Sequence, residues 1–101
     1  MIRITAVCGM GLGSGLLVKM GVERVLKRNG ISDRDFAVEV ADISTARAMP
    51  TDIYVTTAEF AKQLGQVKAK IVEVHNLFSE KEIEAKLIEP YKETVAAKAV
   101  K

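Results

Sequence analysis

The segment CGMGLGSGLLV, Cys8 to Val18, carries the chain's one cysteine, and four of its seven glycines follow at alternate positions, Gly9, Gly11, Gly13 and Gly15. A thiol at the mouth of a glycine-rich turn has the makings of a nucleophile set in an anion cradle. Glycines remove the Cβ atoms that would keep the chain from wrapping closely around an anion. Between a strand and a helix, the backbone N–H groups of such a turn are free, and the helix dipole adds positive potential. The same field lowers a cysteine pKa from about 8.5, at some sites into the range of roughly 3.5–7.5. A thiolate placed there can attack phosphorus while the amides stabilise the equatorial oxygens. Cys8 is therefore the candidate nucleophile. The candidate phosphate-binding residues are Gly9, Met10, Gly11, Leu12, Gly13, Ser14 and Gly15.

Spacing separates this loop from better-known phosphate loops. A Walker loop needs G-x-x-x-x-G-K-[ST], and this loop has no lysine. A dinucleotide fingerprint needs G-x-G-x-x-G; counted from Gly9 the sixth position is Ser14, and from Gly11 it is Leu16. The tyrosine-phosphatase loop also begins with cysteine after a first strand, but it requires arginine where Ser14 stands. Without that guanidinium, release of phosphate to water is disfavoured.

The elements around the loop can be read from periodicity. Ile2–Val7 (IRITAV) is a compact β-branched run and reads as a buried strand ending at Cys8. Ser14 to Asn29 reads as a helix with Leu16, Leu17, Met20, Val22, Val25 and Leu26 as its apolar face and Gly30 beyond its end. Phe36–Val40, Ile53–Thr56 and Lys70–Val74 read as further strands. Asp42 to Pro50 is a variable connection with a helical turn near Ser44–Ala48. Thr56-Thr57-Ala58-Glu59 and Ser79-Glu80-Lys81-Glu82 resemble capping boxes opening two more helices. The last helix has Ile83, Leu87, Tyr91 and Val95 as its core stripe, with a kink or break at Pro90 and fraying from Ala96. Alternating strands and helical crossovers imply an α/β fold: one three-layer domain over residues 1–101, a four-stranded parallel sheet of order 2-1-3-4 with helices on both faces, flavodoxin-like or low-molecular-weight-phosphatase-like.

Composition narrows the class. The chain has 101 residues and a net charge of +2, and no Lys/Arg cluster interleaved with aromatics points to nucleic acid. One cysteine excludes an intrachain disulfide and a cysteine-rich metal site, and it suits a reducing cytoplasm. No segment approaches the ~20 apolar residues needed to span a bilayer. No cofactor or metal is expected.

Other residues invite roles of their own. Ser14 is both an N-cap and a candidate phosphate contact. Leu12 reads as core. Met10 reads as an exposed contact to partner proteins, excluding water from the transfer. His75, the one histidine, follows the fourth strand and reads as structural or partner-facing, since strand four does not adjoin strand one. Thr57 caps a helix and approaches the pocket wall, and Asp42 is a turn residue.

Strand-A-V-C-G-x-G-x-G-S followed by an amphipathic helix, in a chain of this length, resembles the enzyme IIB component of the bacterial phosphoenolpyruvate-dependent sugar phosphotransferase system. The ascorbate/galactitol type is nearest, and the VHN after strand four is ascorbate-like. The resemblance implies that Cys8 takes a phosphoryl group from a phosphohistidine of a IIA protein. It implies delivery to a sugar or polyol held by the IIC permease at the inner face of the membrane, with the isolated protein monomeric. Gly15 departs from the pattern, which commonly has a second serine there. Two alternatives stand beside it: a small cysteine phosphatase or arsenate-reductase-like enzyme, and a non-catalytic anion-binding module.

Overall fold

A computed structural model describes residues 1–7, 12–65 and 67–99 of the chain. The elements in chain order are β1 (Ile2–Val7), α1 (Leu12–Arg28), β2 (Phe36–Ala41), α2 (Ile43–Ala48), β3 (Ile53–Thr56), α3 (Ala58–Leu64), β4 (Lys70–Glu73) and α4 (Glu80–Ala99). The strands form one four-stranded sheet of order β2-β1-β3-β4. All three pairings are parallel, with Ile4 level with Val38 on one side and with Ile53 on the other. This is the flavodoxin-like α/β arrangement expected from the alternation of elements.

Period-two alternation sorts the strand side chains into two cores. Ile2, Ile4 and Ala6 of β1, Phe36 and Val38 of β2, and Ile53 and Val55 of β3 face α1 and α4. There they bury Val22, Val25 and Leu26 of α1 and Ile83, Leu87 and Tyr91 of α4. The opposite face holds Val7 and Tyr54 against Ala46 of α2 and Leu64 of α3. Each fully buried aliphatic side chain contributes about 1.5–3 kcal/mol relative to exposure, so the larger core carries most of the stability. Tyr54 Oη donates to the Ala46 carbonyl at 2.8 Å, which fixes α2 against β3 from within the smaller core.

Helix ends follow local chemistry. The α1 C-terminus closes in a Schellman turn: Ile31 N donates to Leu26 O and Gly30 N to Lys27 O, with Gly30 at φ 80°. Ile31 then packs on the larger core. Asp42, expected as a turn residue, is the N-cap of α2, its Oδ1 accepting from Thr45 N at 2.7 Å.

Several expectations need correction. Helix α1 begins at Leu12, two residues before Ser14. Its buried stripe is Val18, Val22, Val25 and Leu26, whereas Leu16, Leu17 and Met20 are exposed. At 100° per residue these three turn away from the sheet. Helix α4 runs unbroken through Pro90 to Ala99. It tolerates the lost backbone bond because Leu87 and Tyr91 are buried on either side of it. Val95 is exposed and Thr94 is buried in its place. An i, i+4 row drifts about 40° per step around a 3.6-residue helix, so the stripe must shift by one residue after three steps. The expected fraying from Ala96 is not seen as far as Ala99; Lys98 Nζ donates to Met1 O at 2.8 Å and to Asp52 Oδ2 at 2.9 Å.

Candidate functional site

The topology creates a crevice at one place. From β1 the chain crosses to β2 through α1 on one face, and from β3 to β4 through α3 on the other. Strands β1 and β3 are neighbours whose following helices part to opposite faces. The carboxyl ends of such strands form the switch point at which ligands bind in open α/β sheets. Four residues, 8–11, join the carboxyl end of β1 to α1, so the sequence leads Cys8 directly from this point.

The candidate residues divide into two groups. Cys8, Gly9, Met10 and Gly11 lie outside the described residues. Leu12, Gly13, Ser14 and Gly15 form the first turn of α1, not a loop. A helix N-terminus presents unsatisfied N–H groups and about half a positive charge. The 17 residues of α1 thus direct their dipole to the segment that starts with Cys8. Val7, wholly buried, anchors the strand side of that segment.

Gly15 has a packing reason. A Cβ built on it would lie 2.8 Å from Val40 Cγ1, closer than carbon atoms approach. Its lack of a side chain lets the first turn of α1 settle on β2. The serine common at this position in the resembling pattern would not fit against Val40 as it stands.

Across the crevice, Thr56 is buried and Thr57 takes the N-cap position of α3 without a side-chain bond to the helix. The expected capping box is therefore absent there. Thr57, Glu59, His75 and Lys86 line a cleft of about 440 Å³ at the carboxyl ends of β3 and β4.

The second expected capping box is half-formed. Glu82 N donates to Ser79 Oγ at 3.3 Å, but the Glu82 carboxylate turns back to the preceding loop. It accepts from His75 N at 2.6 Å, from Asn76 N at 2.9 Å and from His75 Nδ1 at 2.8 Å. Two backbone N–H groups, first that of His75 and then that of Asn76, hold the Glu82 carboxyl down to about 2. A carboxylate only accepts, so His75 Nδ1–H is the donor in this contact. Strand β3 separates β4 from β1, which puts the end of β4 about 10 Å from that of β1 at ordinary strand spacing. This loop clamp was not read from the sequence. Its one signal was a glutamate at the third position of a helix, where two different donors compete for it.

The family model for the PTS system, Lactose/Cellobiose specific IIB subunit, matches residues 3–89. The chain is 33% identical over 89 residues to the Ascorbate-specific PTS system EIIB component of Mycoplasma pneumoniae, covering 85% of this chain and 90% of that one. It is 30% identical over 93 residues to the proteins of the same name from Salmonella typhimurium and Escherichia coli O157:H7, covering 91% of each chain. The chain belongs to the PTS IIB family and is a phosphotransferase component of a sugar phosphotransferase system. Among the described residues, no helix is long and apolar enough to cross a membrane.

Proposed function

We propose that the chain, acting as a single IIB domain, carries a phosphoryl group on Cys8 between a IIA phosphohistidine and an ascorbate-type sugar held by a IIC permease. What supports this is the order of the chain: Cys8 directly follows Val7, the last residue of β1, whose carboxyl end borders the switch point, and α1 begins four residues later. The Cys8 thiolate attacks phosphorus in line. The S–P bond forms, the P–N bond to the donor imidazole breaks, and the imidazole nitrogen keeps the electron pair and takes a proton. In the second step a sugar hydroxyl oxygen attacks, the S–P bond breaks and the thiolate returns. The hydroxyl proton leaves to a base on the acceptor side.

Backbone amides from Gly9 to Gly15 and the α1 dipole stabilise the spread charge of the phosphoryl group in both steps. Ascorbate is favoured as the sugar because the curated relatives above are named for it; galactitol and related polyols stand behind it. The second step takes place at the inner face of the membrane, where the permease presents the sugar. Phosphorylation with phosphoenolpyruvate, the general phosphotransferase proteins and a panel of IIA proteins tests the reading. Label on Cys8 that chases onto ascorbate supports it; label on no residue with any IIA overturns it.

A further inference from the structure

Strand β1 pairs with β2 as far as Val7 against Ala41, and with β3 as far as Ala6 against Val55. One residue beyond Val7, the same two registers run to Asp42 on one side and to Thr57 on the other. The residue that follows Val7 in the sequence is Cys8. Asp42 and Thr57 both keep extended backbone, Asp42 at φ −75° and ψ 172°, Thr57 at φ −86° and ψ 165°. Each therefore prolongs the line of its strand by one residue past the ladder.

The two differ in what they can give to an anion. Asp42 Oδ1 is engaged by Thr45 N at 2.7 Å, and a carboxylate has no proton to donate. Thr57 is half-buried and carries a hydroxyl. It stands where a threonine ordinarily bonds the first turn of a helix, yet its side chain makes no such bond to α3. The hydroxyl of the neighbouring Thr56 is occupied, donating to Thr57 O at 3.3 Å. Among the described residues at the end of β3, Thr57 thus has the one uncommitted hydroxyl.

Alternation fixes its side of the sheet. Ile53 and Val55 face α1 and α4, and Thr57 is next in the same period-two row. Lys86 of α4 lines the same cleft as Thr57, in agreement with that face. The crossover from β1 through α1 leaves on this face too. Strand β3 is one spacing, about 4.8 Å, from β1, within the span of a phosphoryl group and one hydrogen bond.

We propose that Thr57 is a catalytic donor for the transfer at Cys8: its Oγ1–H donates a hydrogen bond to an equatorial oxygen of the phosphoryl group. The inference rests on the Cys8 reading above and adds a side-chain donor to the backbone amides. Charge spreads over the equatorial oxygens in a loose transition state, and a donor already in place stabilises it without reorganisation. Glu59 and Glu73 line the same cleft, and Lys86 Nζ is held by Glu82 Oε2 at 3.4 Å. The cleft is therefore poorly suited to collecting free phosphate, and the hydroxyl serves a group delivered covalently. The role belongs to the hydroxyl and not to the end of α3, which has only seven residues.

The test compares Thr57→Val, Thr57→Ser and Thr57→Asp with the parent, each checked by thermal melt, using a IIA that labels the parent chain. Valine keeps the branched shape without the hydroxyl, serine keeps the hydroxyl, and aspartate keeps a helix cap without a donor. The saturated rate of Cys8 labelling should fall about tenfold or more in Thr57→Val and Thr57→Asp, with KM within about twofold, and stay within about threefold in Thr57→Ser. The pH profile of Cys8 alkylation by iodoacetamide should stay parental in Thr57→Val, because the hydroxyl acts on phosphoryl oxygens. A parental rate in Thr57→Val or Thr57→Asp overturns the proposal and leaves the Cys8 reading intact. Equal losses in Thr57→Ser and Thr57→Val make Thr57 a packing residue, and a shifted alkylation profile places its hydroxyl on sulfur; both contradict the proposal. If Thr57→Val does not fold, the contrast between Thr57→Ser and Thr57→Asp decides in the same way. A parent that no IIA labels overturns both readings.

Discussion

Glu82 Oε2 lies 2.6 Å from the backbone nitrogen of His75 and 2.8 Å from its Nδ1. One carboxylate on the first turn of α4 thus holds the end of β4 and the orientation of the histidine that follows it. The tie turns a loop at the carboxyl edge of the sheet into a fixed wall of the neighbouring cleft.

The tie also makes stability depend on acid pH. The Glu82 carboxyl sits at about 2, against an ordinary 4.5. A group lowered on folding stabilises the fold fully above its unfolded value and loses that contribution as pH falls through its folded one. The parent should lose more of its urea midpoint between pH 5 and pH 2 than Glu82→Gln does. Equal losses in the two proteins would remove Glu82 from the account of acid sensitivity.

Gly15 and Val40 should behave as a coupled pair. Gly15→Ala adds a methyl group 2.8 Å from Val40 Cγ1, and overpacking of this kind costs about 1–3 kcal/mol. The better helix propensity of alanine returns up to about 1 kcal/mol. Gly15→Ala should destabilise the parent and become neutral or stabilising in a Val40→Ala background. A double-mutant cycle by urea unfolding reads the coupling, and additive effects would show that the contact yields freely.

The shift of the α4 stripe is open to the same kind of measurement. Leu87 is wholly buried, whereas Val95 is 43% exposed. Leu87→Ala should cost about 2–5 kcal/mol, and Val95→Ala should stay within about 0.5 kcal/mol. A loss at Val95 as large as that at Leu87 would contradict the placement of the C-terminal half of the helix.

Where a single local rule decides, sequence and structure agree. The β-branched run Ile2–Val7, the turn at Gly30 and the strand order follow from periodicity, from positive φ and from the handedness of crossovers. Disagreement arises where two elements compete. Leu16, Leu17 and Met20 looked like core because hydropathy cannot show that α4 begins only opposite Gly21. Glu82 looked like half of a capping box because its second partner lies seven residues away, in a loop. Pro90 looked like a break because the packing of Leu87 and Tyr91 around it is tertiary. At the site, Leu12 and Gly13 looked like loop because glycine weakens a helix, yet Gly15 earns its place by letting α1 close on Val40. The chemical candidate, Cys8, was legible from its neighbours alone; the exposure of Leu16, Leu17 and Met20 was not, because exposure is a property of the fold.

The reaction proposed above rests on Cys8 carrying the phosphoryl group. Mass-spectrometric mapping of the protein after incubation with phosphoenolpyruvate, the general phosphotransferase proteins and a IIA partner tests it directly. An added phosphoryl mass is expected on the peptide containing Cys8, absent in Cys8→Ser and lost when ascorbate and the permease are supplied. Phosphate on another residue, or unchanged sugar phosphorylation through Cys8→Ser, would contradict it.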